Sequence, residues 1–433
     1  MKKSIILTAA VALVLLSGCV QQEGLTGFEQ SNYRISLSTD NSVLVDMSVS
    51  EKTQTRASYD TIIDVNDGIG IYCLPDHQII TSAAAPTWST VITENSNVNG
   101  IYWDNAKCNV GDLFEHDEKF HKLELDITSK LPLYEYYPMV STYAYKFYGY
   151  APFQEGDLKE PGDKFVYAEN DIQVIYNDMT GTTDILWAES EPGKGDYAHY
   201  AYSGAYFRKI RKSSEVEMNF EHMLTKLNFY AVPKPNFNYD GTPNYESVDT
   251  LVVKSIRLLD QPKSVALKLA ARKASNGSFV ADTEKQGFVE VYGEALVPYT
   301  LRKDINTPWD YDHDTLKHIS INNPTYDAVK DVYSADTIRV GTYLMTMPAQ
   351  SYQVEIVLCS ENYPEVGIEY KNVLTITPST KQNPKAQFEA GKEYNIKLGI
   401  TGPVEISLIS ANILEWEEGE DVEVDFDNVP DLE

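Results

Sequence analysis

The side chains that most often carry chemistry are spread along this 433-residue sequence without building a reaction centre. Its seven histidines stand at 77, 116, 121, 199, 222, 313 and 318, with no H-E-x-x-H pair and no two cysteines at zinc-ligand spacing. The chain has neither a G-x-S-x-G nucleophile elbow nor a Walker loop. Asp310-Tyr311-Asp312-His313-Asp314 opens like a calcium loop. Its sixth position, however, is Thr315 where the turn needs glycine, and its twelfth is Ile321 where a bidentate glutamate closes the site. A surface loop is expected there. His222 stands where a strand changes register, which points to a packed, hydrogen-bonded structural residue. The separation of a carboxylate pair suited to glycoside hydrolysis is a property of the fold and not of spacing. No catalytic residue, metal or cofactor is assigned, and an enzyme is not expected.

One cysteine does point to chemistry, done on the chain itself. Lys2 and Lys3 precede an apolar run from Ile5 to Leu16, followed by Leu16-Ser17-Gly18-Cys19. Residues 1–18 read as a secretory signal peptide; the run is shorter than the roughly 20 residues of a spanning helix. The last four residues resemble the bacterial lipobox, which implies a diacylglycerol on the Cys19 thiol and cleavage before it. With about 0.8 kcal/mol for each buried CH₂, several acyl chains hold a protein on a membrane. Cys73, Cys108 and Cys359 remain. A Cys73–Cys108 bridge formed after export and buried free thiols both fit them.

Removing the leader leaves 433 − 18 = 415 residues, enough for two domains, and moves the formal charge from −28 to −30 by loss of Lys2 and Lys3. Nucleic acid is not an expected partner, because phosphate binding needs clustered Lys and Arg. The acidity suits the solubility of a crowded surface protein. Aromatics at 11%, with thirty tyrosines, mark a folded chain and not an acidic tail.

Apolar and polar residues alternate throughout, as in Val43, Val45, Met47 and Val49; Tyr143, Tyr145 and Phe147; Val354, Ile356 and Leu358; and Tyr394, Ile396, Leu398 and Ile400. Period two means strands, each with one face inward. The Pro-rich run from Pro233 to Pro243 with Asp240-Gly241 is the strongest loop signal. It divides the chain into a first domain over 57–235 and a second over 245–433, each read as an antiparallel sandwich. In Val216, Met218 and Phe220 the apolar face is even-numbered, whereas in Leu227, Phe229 and Ala231 it is odd. A bulge or turn around Glu221-His222-Met223-Leu224 is expected between them.

The segment Asn219-Phe220-Glu221-His222-Met223-Leu224-Thr225-Lys226-Leu227-Asn228-Phe229 resembles the fimbrillin family, the FimA-like and Mfa-like pilins of type V pili. Ile185-Leu186-Trp187-Ala188 before it, Gly391-Lys392-Glu393-Tyr394 late in the chain, and Ile413-Leu414-Glu415-Trp416-Glu417-Glu418-Gly419 near its end follow in the family's order. The resemblance implies an all-β fold of two transthyretin-like sandwiches in tandem. It also implies assembly by strand exchange once a trypsin-like protease has removed the N-terminal strand. Residues 19–56 would be the lipidated propeptide with that first strand, around Tyr33, Ile35 and Leu37 and then Val43 to Val49. Arg56 and Ala57 would flank the processing site, leaving 433 − 56 = 377 residues.

A bared strand edge invites another strand. Candidate donors lie within 403–426: Val404, Ile406 and Leu408, or Val422, Val424 and Phe426. Four or five such side chains at about 1.5–3 kcal/mol each give a gross gain on the order of 10 kcal/mol. The expected partners are other pilin subunits, the protease, and the membrane through the lipid; the expected place is the outer membrane and the fimbrium. Asp60-Thr61-Ile62, Asp249-Thr250-Leu251, Asp314-Thr315-Leu316 and Asp336-Thr337-Ile338 look like O-glycosylation sites. The competing expectation is a surface lipoprotein that binds glycan or a host protein and never polymerises.

Overall fold

The computed structural model describes residues 35–39, 68–76, 88, 92, 100–114, 117–132, 136–137, 145–168, 170–190, 202, 215–233, 236–237, 243–244, 250–275, 278–303, 317–320, 325–327, 332–334, 337–360, 369–378, 386–402 and 405–415. Their regular structure is nearly all β, as the alternation predicts. The chain runs through β1 (Ser36–Thr39), β2 (Ile69–Pro75), β3 (Trp103–Phe114), β4 (Asp117–Leu125), β5 (Tyr145–Ala151), β6 (Phe165–Tyr167), β7 (Asp171–Tyr176), β8 (Leu186–Glu189), β9 (Glu215–Glu217), β10 (Glu221–His222) and β11 (Thr225–Pro233). Next come β12 (Asn236–Phe237), β13 (Pro243–Asn244), β14 (Thr250–Pro262), β15 (Val265–Ser275), β16 (Ser278–Ala281), β17 (Phe288–Val291), β18 (Leu296–Thr300) and β19 (Lys317–Ser320). It ends with β20 (Thr325–Asp327), β21 (Val332–Ser334), β22 (Ile338–Thr346), β23 (Tyr352–Ser360), β24 (Tyr370–Ile376), β25 (Lys392–Gly402) and β26 (Glu405–Glu415).

Eight strands form one sheet in the order β10-β8-β5-β2-β3-β4-β1-β9. β2 is buried along its whole length, and its pleat sends alternate residues to different cores. Ile69, Ile71 and Cys73 join one cluster, Tyr72 and Leu74 the other. The segment 215–222 touches both ends of this sheet: β9 pairs β1, Met218 bridges Ser190 just past β8, and β10 pairs β8. The sheet therefore closes on itself around a cluster that includes Ile35, Leu37, Phe147, Val216 and Phe220.

The expected register change does fall at Glu221–Leu224, and it is a change of sheet. Val216, Met218 and Phe220 enter the closed sheet's cluster, while Met223, Leu224, Leu227 and Phe229 enter the other core. β11 then pairs β22 and, in parallel, β25, within the four-stranded sheet β22-β11-β25-β26. A five-stranded sheet has the path β18-β14-β23-β24 with β19 on β14; another has β16-β15-β7-β6 with β17 on β15. Two ladders, β1–β9 and β11–β25, are parallel, where the sequence suggested antiparallel pairing alone. Two sets of pairings cross the 235–245 segment proposed as a boundary, β7 with β15 and β11 with β22 and β25.

The segments that carried the family resemblance hold the sheets together. The Trp187 indole N–H donates to the Leu269 carbonyl on β15 at 2.8 Å. Gly391 adopts φ 65°, a conformation that favours glycine, and its N–H donates to the Leu224 carbonyl at 2.9 Å. Buried Tyr394 accepts the Glu389 N–H and donates to the Gln387 carbonyl.

All three described cysteines are free and buried, and burial pushes their thiols up. Cys108 lies opposite Ile69 and Cys73 opposite Trp103. The two are thus about four residues apart along the sheet, roughly 13 Å at 3.3 Å per residue. A disulfide needs much closer Cα atoms, so the Cys73–Cys108 bridge is ruled out.

β3 is pinned to the loop after β5 by Asn105, whose side-chain amide donates to the Gln154 and Gly156 carbonyls, each at 2.7 Å. Beside it, Asp104 Oδ1 accepts the Leu158 N–H at 3.0 Å, while Oδ2 is buried without a hydrogen-bond partner. Burial pushes this carboxyl up to about 6 from its ordinary 3.8, and the Asp157 charge adds to the rise. With the folded value above the unfolded one, the native state binds more protons between about pH 4 and 6. The group's stabilisation is complete below that window and is lost as pH rises through 6, about 2–3 kcal/mol in all. Asp104→Asn keeps the acceptor for Leu158. It should raise the urea midpoint at neutral pH and leave it nearly unchanged in acid; equal shifts at both would contradict the assignment.

Candidate functional site

The site is the slot that β1 fills between β4 and β9. Alternation in Ile35-Ser36-Leu37-Ser38 makes the strand: the Ile35 and Leu37 side chains take one face and Ser36 the other. Leu37 pairs with Leu123 on the antiparallel side and with Val216 on the parallel side. Ser38 lies between Lys122 and Glu217, Ser36 beside Glu215, and Thr39 beside His121. Ile35 and Leu37 are 7% and 2% exposed, in one cluster with Leu123 and Val216.

β1 is therefore a stave of a closed sheet and not a loose edge. Burying two such side chains stabilises the fold by about 3–6 kcal/mol, a sizeable share of the roughly 5–15 kcal/mol that holds a domain folded. Taking β1 out bares the edges of β4 and β9 together and uncovers Leu123 and Val216. That leaves a vacancy shaped for one extended strand with apolar residues at alternate positions.

Of the residues singled out from sequence, Cys19, Tyr33, Val43 to Val49, Arg56, Ala57, Val404, Val422, Val424 and Phe426 lie outside the described residues. So does the Asp310–Asp314 loop. Ile406 and Leu408 are on β26, paired with Ile400 and Leu398 of β25. Ile406 is half-buried against the larger core, so β26 completes its own sheet. Leu123 and Val216, the walls of the slot, were not singled out as site residues. Val216 opened a recognised alternating run, but alternation does not name a partner strand.

His222 proves to be the structural residue expected. It is buried, and its Nδ1 lies 2.5 Å from Asp184 Oδ2 where β10 meets β8. Among the described residues no group of three His, Cys, Asp or Glu side chains is arranged to hold a metal ion. Among them, too, no helix is long and apolar enough to cross a membrane.

No protein-family model matches the chain, and no curated protein sequence matches it. Solved structures similar to it include a fimbrial protein from Bacteroides vulgatus ATCC 8482, at 12% identity and TM-score 0.43, covering 88% of this chain and 99% of that one. The neighbours are fimbrial and adhesion proteins. A candidate cell adhesion protein from Bacteroides uniformis ATCC 8492 is 14% identical with TM-score 0.38, covering 88% of this chain and 98% of that one. The fimbrial anchor protein Mfa2 from Porphyromonas gingivalis is 9% identical with TM-score 0.29, covering 88% and 98%. At these identities and scores the likeness assigns no residue a role.

Proposed function

We propose that this chain is a structural, non-enzymatic subunit of a surface fimbrium that supports adhesion. It would be exported to the outer membrane with a lipid on Cys19, trimmed after Arg56 by a trypsin-like protease, and polymerised by strand exchange into the slot of β1. The observation that carries the reading is the position of β1: a buried stave, paired on both sides, that precedes Arg56 in the chain. One cut after Arg56 severs β1 from the other strands of the closed sheet; among the described residues the strand is then held by short ladders and two apolar side chains.

Donation of Ile406 and Leu408 would require unzipping β26 from β25, an eleven-residue strand on each side. Val422, Val424 and Phe426 lie beyond that ladder and carry the same alternation, which favours them as the lent strand. Sequencing the N-terminus of the protein sheared from cells tests the reading. It should begin at Ala57. A blocked, lipidated Cys19 as the sole N-terminus would overturn processing at Arg56 and leave a cell-bound subunit instead.

A further inference from the structure

Residues 181–185 are strung between two sheets. The Met345 N–H on β22 donates to the Gly181 carbonyl at 2.7 Å, and the Met223 N–H donates to the Ile185 carbonyl at 2.8 Å. Asp184 therefore lies where the chain passes from β10 of the eight-stranded sheet to β11 of the four-stranded one. Its side chain is 1% exposed. Oδ2 pairs with His222 Nδ1, and Oδ1 has no partner in the protein.

Tyr343, two residues before Met345, comes to the same junction from β22. It is 2% exposed, and its hydroxyl has no partner in the protein either. Burial first and then the Asp184 charge push this phenol up, so the hydroxyl keeps its proton and stands in the field of the carboxylate. The ring is fixed in place: it is buried, and the Lys226 ammonium, 3.0 Å from Glu393 Oε2, stands 5.2 Å from its centroid. A buried acceptor without a donor and a buried donor without an acceptor are each costly. Here the two answer each other's need, yet they do not bond directly. A water molecule can accept from the one and donate to the other, and buried waters characteristically bridge about two to four such groups.

We propose that one water molecule is bound at this junction, accepting a hydrogen bond from the Tyr343 hydroxyl and donating one to Asp184 Oδ1. The Asp184–His222 pair then becomes part of a polar chain that runs from β10 through Asp184 and the water to β22. Side chains so join the two sheets where the backbone already crosses between them. The segment held in this way, 215–222, also carries β9, one wall of the β1 slot.

A high-resolution crystal structure of the full chain tests the proposal. It should show one solvent peak about 2.5–3.0 Å from both Asp184 Oδ1 and Tyr343 Oη. Direct contact of the two atoms, or no peak between them, would overturn it. Urea unfolding gives an independent readout. Tyr343→Phe should lower the folding equilibrium constant roughly five- to tenfold. The same change should have little effect once Asp184→Leu/His222→Leu has removed the other partner. A Tyr343→Phe chain more stable than wild type would reveal a hydroxyl without a bridge and would also overturn the proposal. Wild-type midpoints should agree in sodium, potassium and tetramethylammonium chloride at equal ionic strength; a midpoint raised by one metal ion would make the occupant a cation and not water.

Discussion

Leu37→Asp in the uncut chain is expected to imitate proteolysis, emptying the slot and converting a monomer into multimers. Leu37 is 2% exposed against Leu123 and Val216. Losing its side chain from such a site costs about 2–5 kcal/mol, and an unpaired buried carboxylate adds several more. The chain can avoid that cost by releasing β1, whose removal sacrifices about 3–6 kcal/mol of apolar burial and the two short ladders. Release is thus cheaper than tolerating the carboxylate, and it costs less than opening the long ladders of the other sheets. Size-exclusion chromatography of uncut Leu37→Asp should show multimers where the wild type elutes as a monomer. Ser36→Asp, on the strand's other and half-exposed face, should remain monomeric. A monomeric Leu37→Asp with an unchanged urea midpoint would contradict the placement of β1.

His222→Leu should be among the most destabilising single changes outside the slot. Asp184 is 2% exposed; one carboxylate oxygen lies 2.5 Å from His222 Nδ1 and the other has no hydrogen-bond partner. Removing the imidazole strands a buried acid, and breaking a buried pair from one side costs about 3–5 kcal/mol. The double variant Asp184→Leu/His222→Leu removes the stranded group as well and should recover much of the loss, because apolar replacement of a whole buried pair is often close to neutral. Urea midpoints of the two singles and the double measure the coupling. His222 pairs with Leu186 at the seam that closes the eight-stranded sheet, so hydrogen exchange at β8 and β10 should quicken in the single variant. A loss below about 1 kcal/mol for His222→Leu would show that the pair does not hold this seam.

Much of this was written locally and some of it was not. Ile35 and Leu37, or Tyr394 to Ile400, announce strands because period two is a property of neighbouring residues. The change of face between Phe220 and Leu227 announced a break in register for the same reason, and a break was found there. Partner choice is another matter. Nothing in Val216 says that it lies parallel to Leu37, and nothing in Ile172 or Val174 says that they pair with Ala270 and Leu267 across the Pro-rich segment. Those pairings depend on which faces fit once the chain has collapsed, over separations of nearly a hundred residues and more. Cys73 and Cys108 show the same limit: the sequence left a bridge and buried free thiols both open, and the strand register removed the bridge.

The slot also gives the assembly a simple logic. An uncut chain is a finished fold, with both edges of β1 paired and its apolar face covered. On the proposed reading a cut chain has a vacancy with two bare edges, which a strand from a neighbouring copy would fill. Cleaving the purified protein after Arg56 and running the product, unboiled, on a denaturing gel tests most directly whether the opened sheet is closed by a second copy. A ladder of multimers that boiling collapses to one band is the predicted result. A cut chain that releases residues 19–56 and still migrates as a single monomer would contradict it.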